Sequence, residues 1–282
     1  MDVTPVTEEL LPRFSQHIAD NSAYGSGEAV TRVYQYPWLE EKPNYGFALL
    51  HDGEIVGTFG CIYSERLIDG QVERFCNTAD WYVDEEHRSE SIELLFAIIT
   101  QPDYTFTALT ATAEVTQIMR GFGFKKIDPA KVVVPTAPYS AAKLRGASKT
   151  AVITEPADVR DRLEGASLKI YDDLSGATTC DHFIVSVDGA DSYCIVRYQK
   201  RRRVPTAAVL HSSDPEVLSA GLGPVSWWLT SRRRVQALVV ESELLPKLPR
   251  FARLVDDPRP PLFSSKRLKA DQVDSLYSEL TR

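Results

Sequence analysis

Between Tyr45 and Val83 three apolar runs are separated by two short reversals, His51-Asp52-Gly53-Glu54 and Ile68-Asp69-Gly70-Gln71. Asp-Gly pairs accept the positive backbone angles of tight hairpin turns, so the runs are expected to pair as antiparallel neighbours. The third run ends in Trp81-Tyr82-Val83, and there the pattern changes. An acidic turn, Asp84 to His87, leads through Arg88 into SIELLFAII, an apolar helix over 91–99. A meander that hands its last strand to a helix reaches its next strand by a crossover. The expected fold class is therefore α/β or α+β, a mixed sheet flanked by helices.

The flanking sequence fits that layer. TEELLPRFSQHIAD, residues 7–20, repeats Leu10, Leu11, Phe14 and Ile18 at helical spacing with Thr7 as N-cap. A polar, aromatic-rich stretch with turn signals follows. DYTFTALTAT (103–112) reads as a buried strand, AEVTQIMRG (113–121) as a helix closing at Gly121 or Gly123, and FKKIDPAKVVVP as the last strand or strands of the half. Residues 136–167 read as a linker with a short helix. Strand-like segments then resume with LKIYDDL, HFIVSVDG, SYCIVRYQKR and TAAVLHSS, before a helix-like segment over 214–232, an apolar strand over 235–242, and a tail ending in a short amphipathic helix. The recurring order suggests a diverged tandem duplication, with halves at 1–140 and 141–282.

Several function classes are excluded or disfavoured. No apolar run approaches the roughly 20 residues that span a bilayer, and MDVTPVTEELL lacks a secretion signal, so a cytoplasmic protein is expected. Cys61, Cys76, Cys180 and Cys194 fit no zinc spacing and are expected as buried thiols; the five histidines share no ligand spacing, and no metal is assigned. Residues 1–145 hold 12 Lys/Arg against 21 Asp/Glu, which argues against nucleic-acid binding and tolerates an amine-bearing small-molecule acceptor. The basic runs at 200–203 and 232–234 end apolar segments and read as solvated element ends, with nucleic-acid or anionic-lipid contact, or the holding of an acidic acceptor, as the alternatives. No nucleophile elbow surrounds Ser212, Ser213, Ser264 or Ser265.

The junction WYV-DEEH-R and the helix ending in Met119-Arg120-Gly121-Phe122-Gly123-Phe124 resemble the GNAT N-acetyltransferase superfamily over roughly residues 5–135. The chain is similar in particular to GNAT-like proteins encoded among exopolysaccharide genes, whose chains close with a segment like Leu276-Tyr277-Ser278-Glu279-Leu280. The resemblance implies two tandem GNAT-like halves, the second degenerate, and acyl transfer from acetyl-CoA or a longer acyl-CoA to an amine, with an amino sugar as one acceptor. It implies that the pyrophosphate meets the amides of Arg88, Ser89, Glu90, Ser91 and Ile92, where a helix N-terminus favours an anion. Of the family's Gln/Arg-x-x-Gly-x-Gly/Ala motif, Arg88 is kept, whereas Ser91 and Glu93 replace small residues. Acidic residues at 90 and 93 equally suit a plain helix start. Asp80 is the implied base, its apolar neighbours able to raise its pKa, and strand alternation places it with Cys76, Thr78 and Tyr82, opposite Trp81 and Val83. An amide near Tyr82 to Val83 would polarise the thioester carbonyl. The family's acidic tyrosine is replaced by Met119, leaving Tyr82, Cys76 or unassisted departure of the thiolate. Tyr24, Tyr34, Tyr36 and Trp38 precede the first strand where the family shapes its acceptor pocket, and Tyr24, Tyr36 and Trp38 are its candidates here. Core-covering aromatics would give the same pattern. A non-catalytic binding or assembly protein, or an enzyme fed by an acyl carrier protein, also accommodates the departures.

Overall fold

The computed structural model describes residues 1–282 except 24, 40, 128–129, 143–148, 178, 202, 257–259 and 282, and omits the side chains of 140–142. The chain divides into two compact units: Met1–Ile127 with Arg259–Val273 and Tyr277–Glu279, and Asp128–Pro258 with Asp274–Leu276 and Leu280–Arg282.

In the first unit the expected hairpins form. Strands β2 (Gly46–His51), β3 (Glu54–Ile68) and β4 (Gln71–Val83) run antiparallel, with Asp52, Gly53, Asp69 and Gly70 all at positive φ in the two turns. An edge strand β1 (Asp2–Pro5), missed in the sequence, pairs with β2. Helix α1 spans Leu11–Asp20 and not 7–20; Thr7 serves only with its carbonyl, accepting from the amides of Leu10 and Leu11 at 3.1 and 2.9 Å. Pro12 then falls in the first turn, where its missing N–H costs nothing. The aromatic-rich stretch holds a second helix, α2 (Gly27–Tyr34), capped by the Ser26 hydroxyl on the Ala29 amide. After β4 come a 3-10 turn (Glu85–Glu90), α3 (Ser91–Ile99), β5 (Thr105–Ala108), α4 (Ala113–Gly121) and the two-residue β6 (Lys125–Lys126). Helices α3 and α4 press Leu94, Leu95, Ile98 and Met119 onto Cys61 and Cys76 of the sheet, all essentially without solvent exposure. Burial of this kind stabilises by about 1.5–3 kcal/mol per large side chain.

The second unit repeats the plan. Its strands β8 (Thr150–Ile153), β9 (Cys180–Val187), β10 (Ala190–Arg201) and β11 (Val204–Ser212) form an antiparallel meander, and β12 (Ala237–Glu241) lies parallel to β11. The helices are α5 (Thr136–Ala142), α6 (Pro156–Arg160), α7 (Gly165–Leu174), α8 (Pro215–Ala220) and α9 (Leu222–Arg233). Two expectations are corrected. LKIYDDL lies in α7 and not in a strand, its Tyr171 and Leu174 spaced to share a helical face. The tail forms 3-10 turns at Ala270–Gln272 and Glu279–Thr281 in place of an amphipathic α-helix.

The first five strands follow the same order in both sheets; the sixth comes from the C-terminal tail in the first sheet and from the start of the unit in the second. In the first the order is β1-β2-β3-β4-β5-β14-β6, where β14 is Leu262–Ser264 of the C-terminal tail. The second runs β8-β9-β10-β11-β12-β7-β13, with β7 at Lys131–Pro135 and β13 at Arg253–Val255. The strand expected to close the first half, KVVVP, thus pairs antiparallel with β12 and β13. The two mixed sheets flanked by helices fit tandem halves.

Candidate functional site

The site of interest lies where β4 and β5 part. Their parallel pairing covers Phe75–Asn77 with Thr105–Thr107 and then stops, although β4 runs on to Val83. Residues 78–83 therefore have a strand partner only on the β3 side. Opposite Phe59, β4 also carries one extra residue: Gly60 pairs with Ala79, but Thr58 already pairs with Tyr82. Such a bulge bends the strand and re-aims side chains. Asp80 takes the strained part, at φ +55°, a region Asp tolerates better than most residues.

The bulge breaks the alternation that the sequence suggested. Beyond it, Trp81 and Val83 join Cys76 in the core under α3 and α4, with Trp81 stacked on Phe59 at 4.5 Å. Tyr82 turns instead to the other face, 5.7 Å from the ring of His17. Burial lowers the His17 pKa, opposed by the nearby carboxylates of Asp84 and Asp20. A cavity of about 240 Å³ fills the parting of the strands and is lined by Thr78, Asp80, Trp81, Thr110, Thr112 and Met119, among others. Asp80 is in it and Tyr82 is not.

Asp80 is held from behind. The Tyr34 hydroxyl donates to its Oδ2 at 2.7 Å, and the Thr58 hydroxyl donates to its backbone carbonyl at 3.3 Å. Tyr34 reaches across the strand because residue 60 is glycine: a Cβ there would lie 1.9 Å from the Tyr34 hydroxyl oxygen. The candidate acids are poorly placed. Met119 is buried with no proton to give, and the fully buried Cys76 thiol is pushed well above its ordinary pKa by desolvation.

A buried carboxylate that the sequence reading did not assign flanks the cavity. Glu279 accepts from Asn77 Nδ2 at 2.5 Å and from the Thr110 hydroxyl at 2.6 Å. Asn77 is the last residue of β4 paired with β5 and in turn accepts from the Thr107 hydroxyl at 3.0 Å. The tail residue thus braces the point where the strands separate. The signal available was the closing segment 276–280, which names Glu279 without giving it a task.

The phosphate corner differs from a bare helix start. The 3-10 turn at Glu85–Glu90 directs its amides to carbonyls three residues back, as His87 N–H to Asp84 O and Ser91 N–H to Arg88 O show. Helix α3 grows straight out of this turn, with Glu90 in helical conformation at its N-cap position and no side-chain cap. Arg88 and Ser89 are exposed, Ile92 is half-buried and Val83 buried. The Ser89 hydroxyl donates to Glu90 at 2.7 Å and holds that carboxyl below its ordinary pKa. Of the aromatic candidates, Tyr36 stacks on Trp38 at 4.6 Å, and Trp38 is buried edge-on to Tyr277 at 5.4 Å. Neither lines the cavity, and Tyr24 lies outside the described residues.

The four cysteines are free and buried. Among the described residues no cluster of His, Cys, Asp and Glu could hold a metal ion, and no helix is long and apolar enough to cross a membrane.

No protein-family model matches the sequence, and no curated protein matches it. Solved structures do. The chain is similar to a GCN5-related N-acetyltransferase from Anabaena variabilis ATCC 29413, with a TM-score of 0.56 and 12% identity over 93% of this chain and 72% of that one. A probable N-acyltransferase from Enterococcus faecalis V583 matches with a TM-score of 0.58 at 11% identity, covering 93% and 72%. A GCN5-related N-acetyltransferase from Kribbella flavida matches at 0.57 and 12%, covering 93% and 70%. At such identities the likeness is one of fold, and the fold is that of the GNAT N-acetyltransferases.

Proposed function

We propose, from this fold and the geometry at β4, that the first unit moves an acyl group from a coenzyme A thioester to an amine. The single observation that carries the reading is the unpaired, bulged edge of β4 beside a cavity into which Asp80 is aimed. Acyl-CoA supplies an activated thioester. The cavity accommodates a narrow acyl-thioester chain, and the backbone at Tyr82 to Val83 offers a polarising amide. Asp80, oriented by Tyr34, takes the proton as the amine nitrogen bonds to the acyl carbon and the carbon–sulfur bond breaks. With Met119 beside the cavity, the thiolate leaves without a protein acid and is protonated by solvent. Arg88 and the corner at 84–91 face the diphosphate, and Glu279 fixes the width of the parting through Asn77 and Thr110.

The acceptor we infer is a small-molecule amine, with an amino sugar in view. Of the aromatic candidates, the half-buried Tyr36 offers a ring face to such an acceptor. We place the chain with GNAT-like proteins encoded among exopolysaccharide genes, acting in the cytoplasm. A second reading, a GNAT-fold binding protein without turnover or one fed by an acyl carrier protein, is favoured by one feature. In the 84–91 corner the amides of His87 and Ser91 are already bonded within the 3-10 turn and that of Asp84 to Val56 O, and Glu85, Glu86, Glu90 and Glu93 lie in or next to that segment.

Release of coenzyme A thiol, followed with acetyl- and longer acyl-CoA against amino sugars and simple amines, tests the proposal. Asp80→Asn is expected to lower kcat about 100-fold or more while KM for the thioester stays within about twofold. Turnover unchanged by that substitution removes Asp80 as base, and no thiol release from any donor favours the second reading.

A further inference from the structure

The second unit contains a larger cavity, about 490 Å³, that the acyl-transfer reading does not use. It lies at the start of β9, where β10 continues through residues 198–201 without a β9 partner. Its walls come from β9, the ends of α7 and α9, and the segment after β8; no residue of β11 or β12 lines it. It is therefore not the second unit's counterpart of the β4–β5 parting.

The chemistry of the lining is specific. Asp181 is the one carboxylate among the described lining residues, and it is spent: Arg233 Nε and Nη2 both bond to it, at distances down to 2.7 Å, and the Tyr198 hydroxyl donates to Oδ2 at 2.7 Å. The Arg233 guanidinium also lies over the Tyr198 ring at 5.3 Å, so its plane is fixed and its Nη1 edge is left unused by Asp181. Arg232, next in the same helical turn, is exposed and has no acidic partner among the described residues. The acidic residues of neighbouring α7 are themselves paired, Asp172 with Arg160 at 3.0 Å and Asp173 with Lys169 at 2.9 Å. Burial keeps the remaining titratable lining groups neutral near pH 7: it lowers His182 to about 4 and raises the Cys180 thiol. The lining thus carries one uncompensated positive charge and hydroxyl donors at Thr154 and Ser175. It holds no activated nucleophile, so the arrangement suits binding and not chemistry.

One wall is aromatic. Trp228 is held against Phe183 at 4.9 Å, and Tyr171 is held edge-on to His182 at 5.5 Å, so both rings are fixed by packing before any ligand arrives. Fixed rings beside the fixed guanidinium of Arg233 lower the ordering cost of binding a flat, charged molecule.

We propose that this cavity is a binding site for a small-molecule oxyanion, a phosphate monoester or carboxylate carried on a flat ring. Arg232 and the free edge of Arg233 hold the anion, and Trp228 and Tyr171 hold the ring.

Calorimetric titration of the full chain with phenyl phosphate, benzoate, inorganic phosphate and phenol tests it. Saturable binding of phenyl phosphate or benzoate, tighter than inorganic phosphate or phenol alone, is expected. Arg232→Ala should weaken that binding at least about tenfold, since it removes a charge-assisted hydrogen bond on an exposed side chain that the fold does not need. Trp228→Leu should weaken the ring-bearing ligands and leave inorganic phosphate unchanged. Arg88→Ala, in the first unit, should leave the affinity for phenyl phosphate and benzoate unchanged. Absence of saturation at millimolar ligand, binding indifferent to Arg232→Ala, or binding lost with Arg88→Ala would each overturn the assignment.

Discussion

Two strand pairs, β4–β5 and β11–β12, occupy the same place in their sheets and have gone different ways. Both central strands carry a one-residue bulge near the C-terminal end, between Ala79 and Tyr82 in one and between Val209 and His211 in the other. In the first unit the parallel pairing stops at Asn77, well before the bulge, and the extra residue is Asp80. In the second it continues to Val209, up to the bulge, and the extra residue is the buried Leu210. The turn that follows is a 3-10 helix in one case; in the other Asp214 caps α8 through the amides of Glu216 and Val217 at 3.0 and 3.1 Å. The same scaffold therefore supports an open parting with a carboxylate in it or a closed, apolar one. What decides is how far the parallel ladder runs and which residue stands on the bulge.

The largest expected effect comes from dividing the chain. A fragment of residues 1–140 keeps every strand of the first meander but loses β14, whose Leu262 and Phe263 are buried between β5 and β6. It also loses Glu279. Removing two large core side chains at about 2–5 kcal/mol each is comparable with the whole stability of a domain, about 5–15 kcal/mol. The fragment is expected to lack a cooperative thermal transition by circular dichroism, and a native-like melt would show that the exchanged strand is dispensable.

Gly60→Ala addresses the carboxylate itself. The added methyl meets the Tyr34 hydroxyl and forces Tyr34 away from Asp80, at a cost of about 1–3 kcal/mol in stability. Thiol release should fall with it, although residue 60 touches no substrate. Activity at the parental level would mean that Tyr34 does not position Asp80.

A third effect, on stability and not on turnover, concerns a carboxylate at the end of β12, where β5 ends in Ala108. Burial pushes Glu241 up to about 7, with Lys131 opposing and Asp274 and Glu243 adding to the rise. A folded-state pKa above the unfolded value of 4.5 makes the protonated form the stabilised one. Its contribution is full below pH 4.5 and is lost as pH rises through about 7. The stability of the parent relative to Glu241→Gln, measured by urea unfolding, should therefore decline between pH 4.5 and 7, by about 3 kcal/mol. A flat difference would place Glu241 in water.

These contrasts also show what a linear reading can reach. Asp52-Gly53 and Asp69-Gly70 announced their turns because positive φ is a local requirement that few residues satisfy. The helices at 91–99 and 113–121 appear with the bounds expected, since apolar spacing and caps are local too. Asp80 was identifiable as an acid among apolar neighbours. Its true orientation was not, because the bulge depends on the register against β3 and reverses the faces of Trp81, Tyr82 and Val83. Helix α2 was hidden by its eight-residue length inside a polar, turn-flanked stretch, although Val30, Val33 and Tyr34 share one buried face. The exchange of β7 and β14 was beyond reach, because KVVVP looks the same whichever sheet receives it.

Amide hydrogen exchange of the full chain with and without a non-hydrolysable acyl-CoA analogue tests the account most directly. The account predicts that ligand slows exchange in residues 78–83 and 108–112, around the open parting, and leaves 209–214 unchanged. Slowing confined to 209–214, or none in 78–83 at saturating ligand, would contradict it.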